Sequence, residues 1–71
     1  MTASAMRTKL AWIRTSRGLS QRQLAEKSGV DLRAIAEYEQ RRRRIDKASA
    51  EVVWSLATAL ECPMEALLEH K

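Results

Sequence analysis

Four consecutive arginines, Arg41 to Arg44, form the densest group of side chains in this 71-residue sequence that could engage a ligand. Adjacent guanidiniums repel one another, and a strand of phosphates is their natural counter-ion. A charge run is more often only a solvated surface, so we expect two or three of the four to bind phosphate. The phosphate-binding candidates in this segment are Arg42, Arg43, Arg44 and Lys47.

The other reactive side chains lack the neighbours that catalysis or metal binding requires. His70 is the only histidine, Cys62 is the only cysteine, and the carboxylates are scattered, so no set has metal-ligand or nucleophile–base spacing. A total of two glycines excludes a glycine-rich phosphate loop. We therefore expect no enzyme activity, no metal and no other cofactor.

Charge is distributed unevenly along the chain, whose formal net charge is +4 and whose pI is near 9.8. Residues 1–47 hold twelve lysines and arginines against five acidic residues, a net +7, whereas residues 48–71 hold one against four, a net −3. A basic surface on a small domain attracts phosphate backbones, although acidic proteins and anionic membranes stay open as partners. The single cysteine and the lack of a long apolar run or a signal-peptide core indicate a cytoplasmic protein.

Apolar residues recur at helical spacing and no segment alternates with period two, so the sequence predicts an all-α fold. We expect a flexible tail over residues 1–5 and one domain over residues 6–71. Met6 begins the first of five expected helices. These span residues 6–17, 21–28, 32–40, a segment capped by Asp46 or Ser49 that ends at Leu60, and residues 64–69.

Two of these helices are separated by a tight turn whose residues have the types that cap helix ends. Ser20 and Gln23 have the spacing of a capping box, in which each side chain bonds to the other residue's backbone N–H. Gly29 can adopt the left-handed conformation that closes a helix, and Asp31 can cap the next one. The side chains that we expect to share a core across this turn are Leu24, Val30, Ile35 and Tyr38.

This spacing resembles the helix-turn-helix of the Cro/repressor family of bacterial and phage regulators, also called the XRE family. The resemblance extends over about residues 10–68 and implies a compact five-helix, lambda-repressor-like DNA-binding domain with its motif at residues 20–40. The residues that carry it are Leu19, Ser20, Gln21, Ala25, Gly29, Val30, Ile35, Tyr38 and Glu39.

In such a motif the second helix lies in the major groove, which implies base contacts for its outward side chains. Arg33 could donate two parallel hydrogen bonds to guanine, Glu37 could accept from cytosine N4, and Leu32 could touch a thymine methyl. Ala36 is the fourth candidate for a base contact, and Gln40 is a candidate for a phosphate contact. In the alternative, Arg33 and Glu37 pair with each other across one helical turn on a solvated face.

The resemblance also implies roles for three residues outside that face. Gln21, at the start of the first motif helix, usually holds a backbone phosphate, with a capping-box neighbour exposed to water as the alternative. Arg14 and Glu39 match an internal ion pair that ties the first helix to the end of the reading helix.

Three residues depart from the family's pattern. The family often has Gln at the position of Leu32, where it bridges to the Gln at position 21, so that contact must be missing here. It commonly has Gly at the positions of Arg41 and Glu61. At Arg41 the chain either accepts left-handed strain or lets the helix run on.

Function follows from the resemblance as an expectation. One helix-turn-helix reads too few base pairs to select a site in a genome, so we expect a homodimeric repressor on a palindromic operator, associated with the nucleoid when bound. A protein-interaction module with little DNA readout, or an antitoxin or controller with a protein partner such as a toxin, is the alternative. The candidates for the dimer interface, with ordinary core as their alternative, are Trp54, Met64, Leu67 and Leu68.

Overall fold

The computed structural model describes residues 7–69, which form four α-helices and two short 3-10 helices without any strand. The all-α prediction is confirmed. The tail over residues 1–5, the helix start at Met6 and His70 lie outside the described residues. The α-helices are α1 (Lys9–Ser16), α2 (Gln21–Ser28), α3 (Leu32–Glu39) and α4 (Ala50–Leu60), and the 3-10 helices are Ile45–Lys47 and Met64–Leu67.

At two helix ends the structure differs from the prediction by two or more residues, whereas Arg17 and Gln40 are C-caps one residue beyond the observed ends of α1 and α3. Arg7 and Thr8, which the prediction places in the first helix, precede α1, since the Thr8 hydroxyl accepts from the Ala11 N–H at 3.1 Å and caps the helix that begins at Lys9. The fifth helix is a 3-10 helix of four residues that ends before Leu68, whose backbone is extended. Such short segments commonly adopt 3-10 geometry.

The turn between α2 and α3 has the expected capping residues. The Ser20 hydroxyl accepts from the Gln23 N–H at 3.0 Å, and Gln23 Oε1 accepts from the Ser20 N–H at 2.8 Å, which confirms the capping box. Gly29 is left-handed, with φ of 78°, and its N–H donates to the Ala25 carbonyl at 2.8 Å. Asp31 stands at the N-cap of α3, but its side chain makes no capping hydrogen bond.

Of the two capping residues that the sequence offers for α4, Ser49 is the one that caps it, by accepting from the Val52 N–H at 3.2 Å. Asp46 belongs instead to the preceding 3-10 helix, and its Oδ1 accepts from the Glu69 N–H at 2.8 Å. Ile45, in the same 3-10 helix, is buried in the core.

One apolar core lies between the helices, with α2 packed against both α3 and α4 and the second 3-10 helix packed against α4. Full burial of a Leu or Ile side chain contributes about 1.5–3 kcal/mol, so this cluster dominates the stability of the chain. None of the helices in residues 7–69 has the length and apolar character needed to cross a bilayer. The buried members of the core are Leu10, Leu24, Ile35, Tyr38, Ile45, Val53, Leu56, Ala57, Ala59, Leu60 and Leu67.

Two helices end at left-handed residues that are not glycine, Arg41 with φ of 64° and Glu61 with φ of 58°. After α3 the Arg41 N–H donates to the Tyr38 carbonyl at 3.2 Å and the Arg42 N–H donates to the Glu37 carbonyl at 2.9 Å. This is the Schellman pattern, in which glycine is the usual left-handed residue. Arg41 therefore accepts the strain, about 1 kcal/mol, instead of continuing the helix.

Candidate nucleic-acid interface

The helix α3 buries one face and exposes the other. Ile35 and Tyr38 point into the core, and the first turn presents Leu32, 37% exposed, together with the exposed Arg33. Within residues 7–69, Arg33 makes no hydrogen bond or ion pair. Its guanidinium is therefore available to a ligand, whereas Ala36, one turn further along, is half-buried.

Glu37 has a partner, but that partner is not Arg33. Glu37 Oε1 lies 2.8 Å from Nη2 of Arg43, so α3 is linked to the arginine run that follows it. The pairing of Arg33 with Glu37, the alternative raised by their spacing, is absent from the described part of the chain. The Glu37 side chain remains 31% exposed and accessible from solvent.

Arg43 also contacts the aromatic ring of Tyr38. Its guanidinium carbon lies 5.7 Å from the centroid of Tyr38, within the range of a cation–π contact. The pKa of Arg43 is raised, first through the Tyr38 side chain and then through the negative charge of Glu37. Sequence reasoning placed Tyr38 in the core and missed this second role, because its only signal was an aromatic residue five positions before an arginine.

The remaining cations near α3 differ in their surroundings. Arg44 Nη2 lies 3.6 Å from Asp46 Oδ2 and Arg41 Nη1 lies 3.9 Å from Glu69 Oε1, so carboxylates of the chain itself partly neutralise the run. Arg42 and Lys47 are exposed and make no side-chain ion pair or hydrogen bond within residues 7–69. The four arginines are therefore not equivalent, which their adjacency in sequence could not show.

A second glutamate of α3 organises the other side of the helix. Arg14 Nε lies 2.6 Å from Glu39 Oε2 and Arg14 Nη2 lies 3.0 Å from Oε1, which forms the expected ion pair in bidentate geometry. Arg14 Nη1 also donates to the Leu19 carbonyl at 2.7 Å. The side chains are only 14% and 7% exposed, so this ion pair is largely removed from water.

Gln21 joins this pair. Its Nε2 donates to Glu39 Oε1 at 2.9 Å, and Gln21 is half-buried, so it is not the water-exposed neighbour of the capping box that the alternative described. An amide nitrogen carries two hydrogens, and one stays available to a second acceptor. The sequence does not predict the bond to Glu39, because residues eighteen positions apart are brought together only when α2 and α3 pack against each other.

The four candidates for a dimer interface are separated by their burial. Trp54 is 59% exposed on α4, and Met64 and Leu68 are half-buried against the core. Leu67 is 0% exposed, so it belongs to the core of the chain, as its alternative held. Sequence spacing could not distinguish Leu67 from Leu68, because the extended backbone at Leu68 decides which of the two points inward.

No group of three or more potential metal ligands occurs among residues 7–69. A cleft of about 420 Å³ lies between the arginine run and α1, with Leu10, Tyr38 and Ile45 among its lining residues and Arg41, Arg43 and Arg44 also bordering it.

Comparisons with known proteins identify the family. A family model described as Helix-turn-helix matches residues 10–67, a segment that runs from α1 to the second 3-10 helix. Searches of curated proteins and of solved structures found no match. The matched segment includes the capped turn between α2 and α3 and the exposed face of α3. The chain therefore belongs to the XRE-type helix-turn-helix family of DNA-binding transcription regulators.

Proposed function

We propose that this chain is a repressor that binds a palindromic operator as a homodimer, with α3 in the major groove of each half-site. The observation that carries the proposal is Arg33, which is exposed on the first turn of α3 and has no partner within residues 7–69. A guanidinium presented in this way can donate in parallel to guanine O6 and N7, a contact that contributes about 1–3 kcal/mol to base discrimination.

Three further side chains of α3 complete the proposed reading surface. Glu37 retains solvent access and can accept from cytosine N4, while Leu32 offers an apolar surface to a thymine methyl. Ala36 lies between them along the helix and is small enough to allow close approach to a base edge. These contacts specify sequence, whereas the contacts to phosphate set the position of the domain.

The phosphate contacts come from the start of α2, from the end of α3 and from the segment between α3 and α4. Arg42 and Lys47 are the strongest candidates, because they are exposed and have no carboxylate partner in the described part of the chain. Gln40 is exposed at the end of α3, and Gln21 keeps one amide hydrogen for phosphate. Arg44 can exchange the distant carboxylate of Asp46 for a phosphate oxygen, and Arg43 lies close enough to contribute.

The need to select one DNA site in a genome is the reason to propose a dimer. A single motif that reads a few base pairs at about 1–3 kcal/mol each cannot select one site among roughly a million competitors, whereas two copies can. The proposed interface comprises Trp54 with the half-buried Met64 and Leu68, in the acidic portion of the chain and remote in sequence from the arginines. The half-sites would then lie about 34 Å apart. Such a repressor would act in the cytoplasm at the nucleoid.

A protein-interaction module is the second candidate, including an antitoxin or controller that binds a protein partner. One observation favours it: three of the four consecutive arginines already face carboxylates of the same chain. Fewer cations are then free for phosphate than the sequence suggested.

Selection from a randomised duplex library at two salt concentrations tests the proposal. The unaltered chain is expected to enrich a palindrome, and Arg33→Ala is expected to lose the preference at one base pair of each half-site. Arg22→Ala, which removes an exposed arginine from α2, is the matched control and should keep every preference. Steeply salt-dependent binding without an enriched sequence would contradict the proposal.

Light scattering at micromolar concentration tests the dimer separately. We expect the mass of two chains for the unaltered protein and of one chain for Trp54→Ala. A single-chain mass for the unaltered protein would exclude a preformed dimer.

A further inference from the structure

We propose that Arg43 is a specificity-determining residue: by holding the Glu37 carboxylate in one orientation, it selects the base that α3 reads at that position. The proposal rests on the function proposed above, in which α3 lies in the major groove. It assigns to Arg43 a role other than that of one more phosphate-binding cation.

The backbone brings Arg43 back to the helix that precedes it. The left-handed Arg41 reverses the chain, after which the N–H groups of Arg42 and Arg43 both donate to the Glu37 carbonyl, at 2.9 and 3.3 Å. Arg43 is therefore held next to the residue with which it pairs. An arginine on a loop without this reversal would lose more conformational entropy on reaching the same carboxylate.

The side chain of Arg43 is held at two points. Its Nη2 lies 2.8 Å from Glu37 Oε1, and its guanidinium lies over the ring of Tyr38. Tyr38 is only 6% exposed, so the ring is fixed by the core and cannot follow a moving arginine. The ion pair with Glu37 is thus anchored to a rigid group, unlike most exposed ion pairs, in which both partners are mobile.

This anchoring decides what Glu37 can present to DNA. A carboxylate has two oxygens that both accept hydrogen bonds, and Arg43 occupies Oε1. The contact from Arg43 is to Oε1, and the Glu37 side chain, 31% exposed, keeps acceptor lone pairs for an exocyclic amino group such as cytosine N4. Arg43 also offsets the repulsion between the carboxylate and nearby phosphates, which would otherwise turn Glu37 away from the groove.

The proposal separates Arg43 from its neighbour Arg42, which has the same side chain but no carboxylate partner in the described region. Loss of a residue that orients Glu37 should change the preferred base at one position. Loss of a phosphate contact should weaken binding to all DNA sequences alike. It should also reduce the slope of the logarithm of the binding constant against the logarithm of the salt concentration by about 1. Arg42→Gln is therefore the matched control for Arg43→Gln.

The experiment combines library selection with fluorescence anisotropy at several salt concentrations, on the full chain and on four variants: Arg43→Gln, Arg42→Gln, Glu37→Gln, and Arg43→Gln combined with Glu37→Gln. We expect Arg43→Gln to change discrimination roughly 5- to 150-fold at the base pair read by Glu37, the range that 1–3 kcal/mol implies, and to leave other positions unchanged. In the Glu37→Gln background the same substitution should change nothing further at that base pair. Circular dichroism confirms that each variant is folded.

Two results would overturn the proposal, and they are distinguishable. If the unaltered chain enriches an operator and Arg43→Gln enriches the same one with uniformly weaker binding, Arg43 is only a phosphate contact and the proposed function stands. If the unaltered chain enriches no sequence, the proposed function fails and the role of Arg43 fails with it.

Discussion

Glu37 and Glu39 lie two residues apart on α3, and each pairs with an arginine from elsewhere in the chain. The side chains of Glu39 and Arg14 are 7% and 14% exposed, whereas those of Glu37 and Arg43 are 31% and 53% exposed. The same pair of chemical groups therefore occurs once in a nearly dry site and once at the surface. Burial, rather than chemistry, separates the structural pair from the one that is open to a ligand.

The two pairs also differ in what they connect. Glu39 accepts hydrogen bonds from Arg14 of α1 and from Gln21 of α2, so three helices are joined at one carboxylate. Glu37 pairs with Arg43 from the segment directly after its own helix, so this contact joins α3 to its own C-terminal extension. The first pair stabilises the packing of α1, α2 and α3, and the second organises only the end of α3.

The largest expected effect is that of Arg14→Met. Removal of the guanidinium leaves the Glu39 carboxylate with little solvation and only Gln21 as a donor, so we expect the free energy of unfolding to fall by about 3–5 kcal/mol. Urea denaturation measures this loss in the free energy of unfolding. Arg22→Met removes an exposed arginine from α2 and should change stability by less than about 0.5 kcal/mol. Equal losses for the two variants would show that the pair with Glu39 behaves like a surface pair.

The next effect concerns the helix end that brings Arg43 to Glu37. Arg41→Gly removes the left-handed strain at φ of 64° and should raise the free energy of unfolding by about 1 kcal/mol. Gly29→Ala is the complementary variant and should lower it by a similar amount, because an added Cβ meets no atom within 4 Å and only the backbone conformation is strained. Thermal denaturation of both variants and of the unaltered chain measures the changes in the free energy of unfolding. A loss of stability in Arg41→Gly would mean that contacts of the arginine outweigh its strain.

A smaller effect is expected for the exposed pair itself. Glu37→Gln and Arg43→Gln should each lower the free energy of unfolding by less than about 1 kcal/mol, because both partners remain solvated after the change. Chemical denaturation under the conditions used for Arg14→Met measures both variants. A loss of several kcal/mol would place this pair in the structural class and remove the contrast with Glu39.

The smallest effect is the response of the two pairs to salt. Between about 0.1 and 1 M NaCl the Debye length falls from about 10 to 3 Å, which screens exposed charges far more than buried ones. Double-mutant cycles should show the coupling between Arg43 and Glu37 falling toward zero in high salt and the coupling between Arg14 and Glu39 largely retained. A parallel decrease in both would contradict the difference in burial.

Sequence alone determined the features that depend on a few neighbouring residues. The capping box at Ser20 and Gln23, the left-handed Gly29 and the inward face of α3 with Ile35 and Tyr38 all follow from short-range hydrogen bonds and helical periodicity. The ion pair of Arg14 with Glu39 was expected from the family resemblance rather than from the residues themselves. In each case a fixed spacing along the chain carries the information.

Only the tertiary structure decided which partners the candidate site residues have. At Arg41 the helix could run on or reverse, two outcomes separated by about 1 kcal/mol of backbone strain, and only the reversal places Arg43 between Glu37 and Tyr38. Likewise, the bond from Gln21 to Glu39 exists only because α2 and α3 pack together. Small local preferences leave such choices undetermined, and the burial of the common core settles them.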